Sequence, residues 1–152
     1  MENEAATTQP PARLRRLVSW QTGRVSTLGA RLTAQRMALG ARADFAMLAA
    51  LDEYGELSQA ELGRRLGLDR NDVSGVITRL EDRGAVTRRI DADDRRRNII
   101  AVSESGLREL ADLQAHADEV QRDLLVGLTA AEREQLGFLL AKVLDQHPGQ
   151  PA

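Results

Sequence analysis

The sequence predicts a mainly α-helical single domain that carries one small antiparallel β-hairpin. Apolar residues recur with helical spacing over most of the 152 residues. The spacing changes to that of strands only within residues 86–102, where two β-branched runs flank a charged segment. Residues 1–12 and 146–152 contain prolines and few apolar side chains, so we expect disordered tails around a domain that spans residues 13–145.

Composition excludes several classes of protein. The chain contains no cysteine, which rules out a disulfide scaffold, a cysteine nucleophile and thiolate metal sites. Aromatic residues make up 3% of the chain, too few for the stacking surfaces that bind single-stranded nucleic acid. No segment approaches the roughly 20 apolar residues of a membrane span, and residues 1–11 lack the features of a secretory signal. We therefore expect a cytoplasmic protein with no membrane partner.

Charge is unevenly distributed along the chain. Ten arginines and seven acidic residues give residues 64–97 a net charge of +3, whereas the whole chain carries −2. A basic segment on an acidic body is the electrostatic pattern expected of a protein that binds a polyanion. The alternative is that these arginines pair with the nearby acids on a solvated face.

Two helices are predicted before residue 56. The first covers residues 13–39 and carries a narrow apolar stripe at heptad spacing, which suits a partner helix as well as an intramolecular core. The stripe consists of Leu14, Val18, Val25, Leu28, Leu32 and Leu39. The second covers residues 42–54, and Gly55 at its end suits the left-handed conformation that closes many helices.

Two shorter helices follow, joined by a turn at residues 66–69. Ser58 and Glu61 have the spacing of a capping box, which predicts that a helix begins here and ends at that turn. Asp69 caps the next helix, over residues 70–83, whose inward face shows the i, i+3, i+4, i+7 pattern. That face consists of Val73, Val76, Ile77 and Leu80. The pair has the proportions of a helix-turn-helix.

A hairpin and two further helices complete the chain. The predicted strands are residues 86–90 and 98–102, with a highly charged tip between them. Ser103 caps a long helix that runs to about residue 127, and Thr129 caps a last helix. We therefore expect a winged helix-turn-helix in which the hairpin is the wing.

The outward face of the predicted 70–83 helix carries short hydrogen-bonding side chains and arginines. These are the residue types that contact base edges in a major groove. The candidates are Arg70, Asn71, Asp72, Ser74, Gly75, Thr78 and Arg79. Glycine inside a helix costs about 1 kcal/mol relative to alanine, so Gly75 needs a reason. Close approach of the helix backbone to DNA is one, and packing against another helix is the alternative.

The tip of the hairpin is the second candidate contact. Arg95, Arg96 and Arg97 can reach a minor groove, whose potential attracts guanidinium groups. Asp94 would orient a neighbouring arginine through a fork-like ion pair. The alternative is a solvated charged turn.

These residues resemble a known family. Asp94 and Arg96, followed by a strand and then by Val102, Ser103 and Gly106, resemble the wing signature of the MarR (multiple antibiotic resistance regulator) family. Val102 and Ser103 stand where that signature usually has Leu and Thr. The two helices of the predicted helix-turn-helix also look like the third and fourth helices of that family. The resemblance is specific over residues 57–106 and general over the rest of the domain.

The resemblance implies a homodimeric repressor of transcription. Its dimerisation helices would be residues 13–39 and 104–145, and its DNA-binding lobe would be residues 42–102. Arg96 would enter the minor groove, with Arg95 and Arg97 as neighbouring contacts, while Ser58 and Gln59 would meet a phosphate. The operator would be an imperfect palindrome with half-sites about 10 bp apart. A small-molecule effector between the dimer helices and the reading head is also implied, and Trp20 is a candidate lining residue.

Other functions have less support in the sequence. The two histidines are isolated, so no metal site is predicted and no cofactor is expected. No nucleophile or histidine constellation accompanies Asp93 and Asp94, so we do not expect an enzyme. A winged-helix module that binds a protein partner is the main alternative. Such a surface should offer an apolar or aromatic anchor, and the outward face around Asn71, Ser74 and Thr78 offers none.

Overall fold

The computed structural model describes residues 9–147 of the chain. Most of both predicted tails, residues 1–8 and 148–152, therefore lies outside the described residues. Seven helices and three strands follow one another within the described part. In chain order they are α1 (Ala12–Arg15), α2 (Val18–Arg36), α3 (Ala41–Tyr54), β1 (Leu57–Ser58), α4 (Gln59–Leu66), α5 (Arg70–Asp82), β2 (Val86–Ile90), β3 (Asn98–Val102), α6 (Glu104–Leu124) and α7 (Ala130–Leu144).

The hydrophobic core lies between α3, α4, α5 and the sheet. Its fully buried members include Met47, Leu48, Leu51, Leu62, Val73, Ile77, Leu80, Val86 and Ile100. The predicted inward face of α5 is confirmed, because all four of its residues are buried. Close-packed apolar side chains from three helices and two strands therefore fix the position of α5.

The sheet has three strands rather than the two of the predicted hairpin. β2 and β3 occupy the predicted residues and pair antiparallel, with Val86 opposite Val102. β1 pairs with the other edge of β3, Leu57 opposite Ile100, which gives the order β1-β3-β2. A strand of two residues has too little alternation to be detected in a sequence. Its pairing anchors the start of α4 to the wing.

The predicted helix starts are confirmed by their caps. The Ser58 Oγ accepts from the Glu61 N–H at 3.3 Å while Glu61 bonds back to the Ser58 N–H at 2.9 Å. Asp69 accepts from the N–H groups of Asn71 and Asp72 in the first turn of α5, and Thr129 forms the second capping box with Glu132. These bonds satisfy N–H groups that have no partner inside their helices.

The N-terminal helix differs from the prediction at both ends. Instead of one helix over residues 13–39, the chain forms α1 and α2, with extended backbone at Leu17 (φ −83°, ψ 119°). The Gln21 side chain donates to the carbonyl of Arg15 at 2.8 Å and so satisfies a group exposed by the break. α2 ends at Arg36, and Gly40 then turns the chain with φ 88°. Heptad spacing shows on which side of a helix the apolar residues lie. It does not show where the backbone leaves the helical conformation.

Gly55 also departs from the expected conformation. Its φ of 76° is positive, as glycine permits, but its ψ of −153° lies outside the left-handed helical region. The chain therefore leaves α3 in an extended direction and enters β1 directly. Gly67, with φ 64° and ψ 26°, adopts the left-handed conformation and closes α4 within the predicted turn.

The base of the wing is joined to the start of α6. The Ser103 Oγ donates to the carbonyl of Gly84 at 2.6 Å and accepts from the N–H of Gly106. The Ser103 N–H bonds the carbonyl of Ala85 at 3.0 Å. A Cβ at Gly106 would lie 2.0 Å from that same carbonyl oxygen, so only glycine fits. Ala85, the residue before strand β2, is thus in close contact with the first turn of α6.

α2 and α7 leave their apolar residues exposed. Within residues 9–147, neither helix contains a buried residue. Val18 is 68% exposed on α2, and Phe138 and Leu144 are 67% and 70% exposed on α7. Much of the apolar surface of both helices, including most of the predicted stripe on α2, is therefore left uncovered by the described chain. Among the described residues, no helix combines the length and apolarity of a membrane span.

Candidate nucleic-acid interface

An open cleft of about 1160 Å³ lies between the helix-turn-helix and the wing. Its walls are α4, the turn after it, the N-terminal half of α5 and the hairpin. The predicted site residues that line it are Ser58, Gln59, Arg70, Asn71, Ser74, Arg96 and Arg97. Residues far apart in the sequence, from α5 and the tip of the hairpin, therefore face one cavity. The wing lies beside α5, and the outward face of α5 stays accessible.

The cleft is strongly basic. Six arginines line it, against a single acidic residue, Asp69, which is occupied in capping α5. The arginines are Arg64, Arg65, Arg70, Arg88, Arg96 and Arg97. Three of them, Arg64, Arg65 and Arg88, were not among the predicted site residues. Their only signal in the sequence was the excess of arginine over residues 64–97, and the fold was needed to show which arginines share the cleft.

The exposed face of α5 agrees with the prediction at most positions. Asn71, Asp72, Gly75 and Thr78 are exposed, and Ser74 is half-buried. A Cβ at Gly75 would meet no atom within 4 Å, so the described chain gives no packing reason for this glycine. The close helix contact is made elsewhere, since a Cβ on α4 at Gly63 would approach the Leu68 carbonyl oxygen to 3.1 Å.

Arg88 connects the wing to this face of α5. Its Nη2 lies 3.0 Å from Glu81 Oε2 and 3.5 Å from Thr78 Oγ1. The ion pair holds the Arg88 guanidinium at the outer edge of α5. Arg88 thereby extends the basic surface from the cleft toward Thr78.

The Arg79 side chain points away from the outward face of α5 that was predicted to contact bases. Its Nη2 lies 2.7 Å from Asp44 Oδ1, on α3, and its guanidinium packs beside Gly40. The physical reason is the burial of Asp44, which is only 6% exposed and needs counter-charges. The assignment of Arg79 to the major groove is therefore corrected, because the side chain already serves an internal ion pair.

Asp44 has a second partner at the end of α5. Arg83 Nη2 lies 2.9 Å from Asp44 Oδ2 and 2.7 Å from Glu109 Oε1, on α6. The hydrogen bond to Glu109, together with the bond to Asp44, raises the pKa of Arg83 above its ordinary value. A four-membered ionic cluster thus joins α3, α5 and α6. Its bonded pairs are separated by 26 to 39 residues in the sequence, and no sequence pattern indicated the cluster.

Ser58 does not have the predicted contact with phosphate available. The residue is 3% exposed, and its hydroxyl is held by Glu61 within the capping box. The hydrogen bonds from the Ser58 hydroxyl and N–H lower the pKa of Glu61. Gln59 lies more openly at the start of α4 and accepts from Asn98 Nδ2 at 3.1 Å. It therefore links α4 to the wing at the edge of the cleft.

Asp94 orders the wing tip through the backbone rather than through a guanidinium. Its Oδ1 accepts from the N–H of Arg96 at 3.0 Å, and its carbonyl accepts from the N–H of Arg97 at 2.9 Å. The predicted fork-like ion pair is replaced by this turn, which is the common use of an aspartate at such a position. Arg95 and Arg96 are left exposed at the tip.

Arg97 is partly committed to other carboxylates. Its guanidinium lies 3.4 Å from Glu61 and 3.7 Å from Asp91. Both pairs are exposed enough for water to weaken them. The side chain therefore stays close to the start of α4 while one edge of it faces the cleft.

Trp20 lies on α2, away from this cleft. It is half-buried, and the Arg24 guanidinium lies 5.8 Å from the centre of its ring. It lines neither the cleft nor the shallower groove between α3 and α6. Across residues 9–147, no three His, Asp or Glu side chains are grouped to hold a metal ion.

Comparison with known proteins gives a consistent result. The sequence profile of the MarR family matches residues 41–97. The HTH-type transcriptional repressor NicR of Pseudomonas putida is 34% identical over 101 residues, which are 66% of this chain and 64% of NicR. The chain thus spans less than two thirds of the length of the curated relatives that it matches.

Solved structures share the fold over nearly their whole length. A probable transcriptional regulator from Pseudomonas aeruginosa is 33% identical, with a TM-score of 0.75, and the match covers 86% of this chain and 98% of that one. BpsR of Bordetella bronchiseptica, whose DNA binding is regulated by 6-hydroxynicotinic acid, is 25% identical with a TM-score of 0.72. That match covers 83% of this chain and 97% of BpsR.

Proposed function

The chain belongs to the MarR family, and from this premise we propose that it is a sequence-specific repressor of transcription that binds double-stranded DNA, and not an enzyme. The observation that supports the proposal most strongly is the shared basic cleft. Within it, the N-terminal half of α5 and the arginine-bearing wing lie side by side. One protomer could therefore contact a major groove and the neighbouring minor groove of the same duplex.

Base contacts are assigned to the exposed face of α5. The side chains proposed to meet base edges are Arg70, Asn71, Asp72, Ser74 and Thr78, with Gly75 allowing close approach. Amide, hydroxyl and guanidinium groups bond distinct patterns in the major groove, and a carboxylate can accept from the amino group of cytosine. Arg79 and Ser58 are left out of this assignment because internal bonds occupy both.

Wing and phosphate contacts come from the arginines of the cleft. Arg96, exposed at the tip, is assigned to the minor groove, and Arg95 and Arg97 to its edges or to phosphates. Gln59, at the start of α4, would approach a phosphate where the helix N-terminus favours negative charge. Arg64 and Arg65 add positive charge to the same wall.

A homodimer explains the exposed apolar faces of α2 and α7. Apolar surface of this extent is typical of protein interfaces. We propose that residues 13–39 and 104–145 carry the dimer interface and residues 42–102 the DNA-binding lobe. A two-fold dimer places two reading heads on one face of the duplex, so its operator should be a palindrome with half-sites about 10 bp apart.

Control by a small molecule is a further part of the proposal. Its support is the similarity to BpsR, whose DNA binding responds to 6-hydroxynicotinic acid. Trp20, half-buried on α2, is the residue that we assign to such an effector site.

The chemistry of the cleft itself argues against the alternative of a protein-interaction module, because arginines dominate its lining and no aromatic anchor is among them.

Operator binding tests the proposed function. Genomic fragments captured by the wild-type protein should contain a palindrome, and Arg96→Ala should weaken binding to it by about 1–3 kcal/mol in a gel-shift titration. Arg108→Ala is the matched control, because Arg108 is an exposed arginine on α6 that pairs with Glu104. Sedimentation of all three proteins should give the mass of a dimer. Equal affinity of the wild type for palindromic and random duplexes would overturn the proposal.

A further inference from the structure

The carboxylate of Asp44 is the most buried charge among the described residues, and its partners come from the recognition helix. Asp44 lies on α3 and is 6% exposed. Its two oxygens bond different arginines of α5, Arg79 at 2.7 Å and Arg83 at 2.9 Å. The two arginines are four residues apart, so the carboxylate spans one turn of that helix on a single side.

The same cluster reaches the predicted dimer helices. Arg83 also bonds Glu109 on α6 at 2.7 Å. The Arg79 guanidinium packs against Gly40, where a Cβ would come within 3.2 Å of it. Gly40 is the turn that joins α2 to α3. The cluster therefore connects α5 to the body of the molecule on the side opposite the DNA cleft.

Directional contacts matter here because the other contacts of α5 are apolar. Val73, Val76, Ile77 and Leu80 hold the helix against the core, but apolar contacts are non-directional and define the rotation of the helix about its axis less sharply than hydrogen bonds do. Two charge-assisted hydrogen bonds to opposite oxygens of one carboxylate restrict that rotation. Base contacts need side chains placed within about 0.5 Å, whereas phosphate attraction does not.

We propose that Asp44 is a positioning residue for operator recognition, which acts through Arg79 and Arg83 to fix the rotation of α5. It touches no DNA itself. The inference rests on the proposed function, and it assigns to Arg79 a role in orienting the helix in place of the major-groove contact that the sequence suggested.

The variant Asp44→Asn should leave the fold intact. The side chains of Arg79 and Arg83 are 45% and 43% exposed, so both can be hydrated once the carboxylate is neutral. Asn is close in size to Asp, so no cavity forms. Asp52→Asn is the matched control, since Asp52 is an exposed acid on the same helix and its loss changes the net charge equally.

The test compares the operator with a random duplex of equal length at one salt concentration. For Asp44→Asn we expect operator affinity to fall tenfold or more, while affinity for the random duplex is unchanged or slightly higher because two arginines are released. Asp52→Asn should keep the wild-type ratio. Arg83→Gln is a second variant, and it should also lower the preference for the operator. Circular dichroism gives the folded fraction of each protein.

The outcomes separate the inference from the proposed function. A parallel fall in both affinities for Asp44→Asn would show a structural role only and overturn the inference. A rise in operator affinity would show that Arg79 contacts DNA when released, and would also overturn it. An unchanged ratio in both Asp44→Asn and Arg83→Gln would do the same. A wild-type protein without preference for any operator would instead remove the proposed function, on which the inference rests.

Discussion

The lobe formed by residues 41–102 buries most of its large apolar side chains, whereas the flanking helices α2 and α7 leave most of theirs exposed. Fourteen of the fifteen buried hydrophobic residues among those described lie within residues 41–102. α2 and α7 have none. Leu80, on α5, is fully buried, whereas Leu144, on α7, is 70% exposed. The lobe is therefore stabilised by its own core, and the flanking helices present apolar surface that the rest of residues 9–147 leaves uncovered.

This difference explains why one heptad-like pattern has two outcomes. The stripe of α6 packs against the rest of the chain, with Val120 buried and Leu110 and Leu113 against the core. The stripe of α2 has similar spacing, but Val18, Val25 and Leu28 remain exposed on it, as do Phe138 and Leu144 on α7. Spacing predicts which side of a helix is apolar, but it does not tell whether the cover comes from the same chain.

Removing a side chain from the lobe should have the largest effect. Ile77→Ala should lower the free energy of unfolding by about 2–5 kcal/mol, because a fully buried isoleucine leaves a cavity. Denaturant unfolding followed by circular dichroism measures this loss. The decrease should be the same at every protein concentration, since Ile77 lies inside one protomer.

Val143→Ala on α7 is the matched control for that experiment. Val143 is 59% exposed in the described chain, so a monomer should lose less than about 0.5 kcal/mol. If a partner covers α7, the variant should instead dissociate at a higher protein concentration in sedimentation equilibrium. Identical dissociation of wild type and variant would remove α7 from the dimer interface.

Gly106→Ala should have the next largest effect. Its Cβ would lie 2.0 Å from the Ala85 carbonyl oxygen, a backbone atom that cannot move without shifting the base of the wing. We expect a loss of about 1–3 kcal/mol, typical of overpacking, in thermal unfolding. Wild-type stability in this variant would show that the joint between wing and α6 is looser than the contact implies.

Gly75→Ala should have a smaller effect on stability than Ile77→Ala or Gly106→Ala, and of opposite sign. A Cβ here meets nothing within 4 Å, and alanine favours the helix by about 1 kcal/mol over glycine. The melting temperature should therefore rise slightly while operator affinity falls, because the added methyl lies where DNA would approach. Unchanged operator affinity would mean that the α5 backbone stays farther from the duplex than proposed.

Local patterns predicted most of the secondary structure. The capping residues Ser58, Asp69 and Thr129 sit next to the N–H groups that they satisfy, so the chain around each contains the whole signal. The two wing strands were predicted at their observed residues because alternation and β-branching occur within five residues. The resemblance of residues 57–106 to one family then implied a role for these elements.

Features that depend on distant partners were not predictable in this way. β1 exists because Leu57 lies opposite Ile100, and Arg79 turns inward because Asp44 is buried 35 residues earlier. From the sequence alone, Arg79 was expected to lie exposed on the outward face of the helix. The interpretation of Asp94 failed for a simpler reason: its carboxylate accepts from the backbone N–H of Arg96, two residues along the chain, rather than from a guanidinium.

The contacts at Ala85 join the base of the wing to the first turn of α6, so that a tilt of α6 moves the wing tip. Five strand residues at about 3.3 Å each reach roughly 16 Å from the first turn of α6 to the tip, so a tilt of about 5° moves the tip by roughly 1.4 Å. Because Ser103 and Gly106 hold the two parts together, α6 cannot tilt without carrying the arginines with it. A small tilt of α6 against the rest of the molecule would thus move the arginines at the tip by more than it moves the base of the wing.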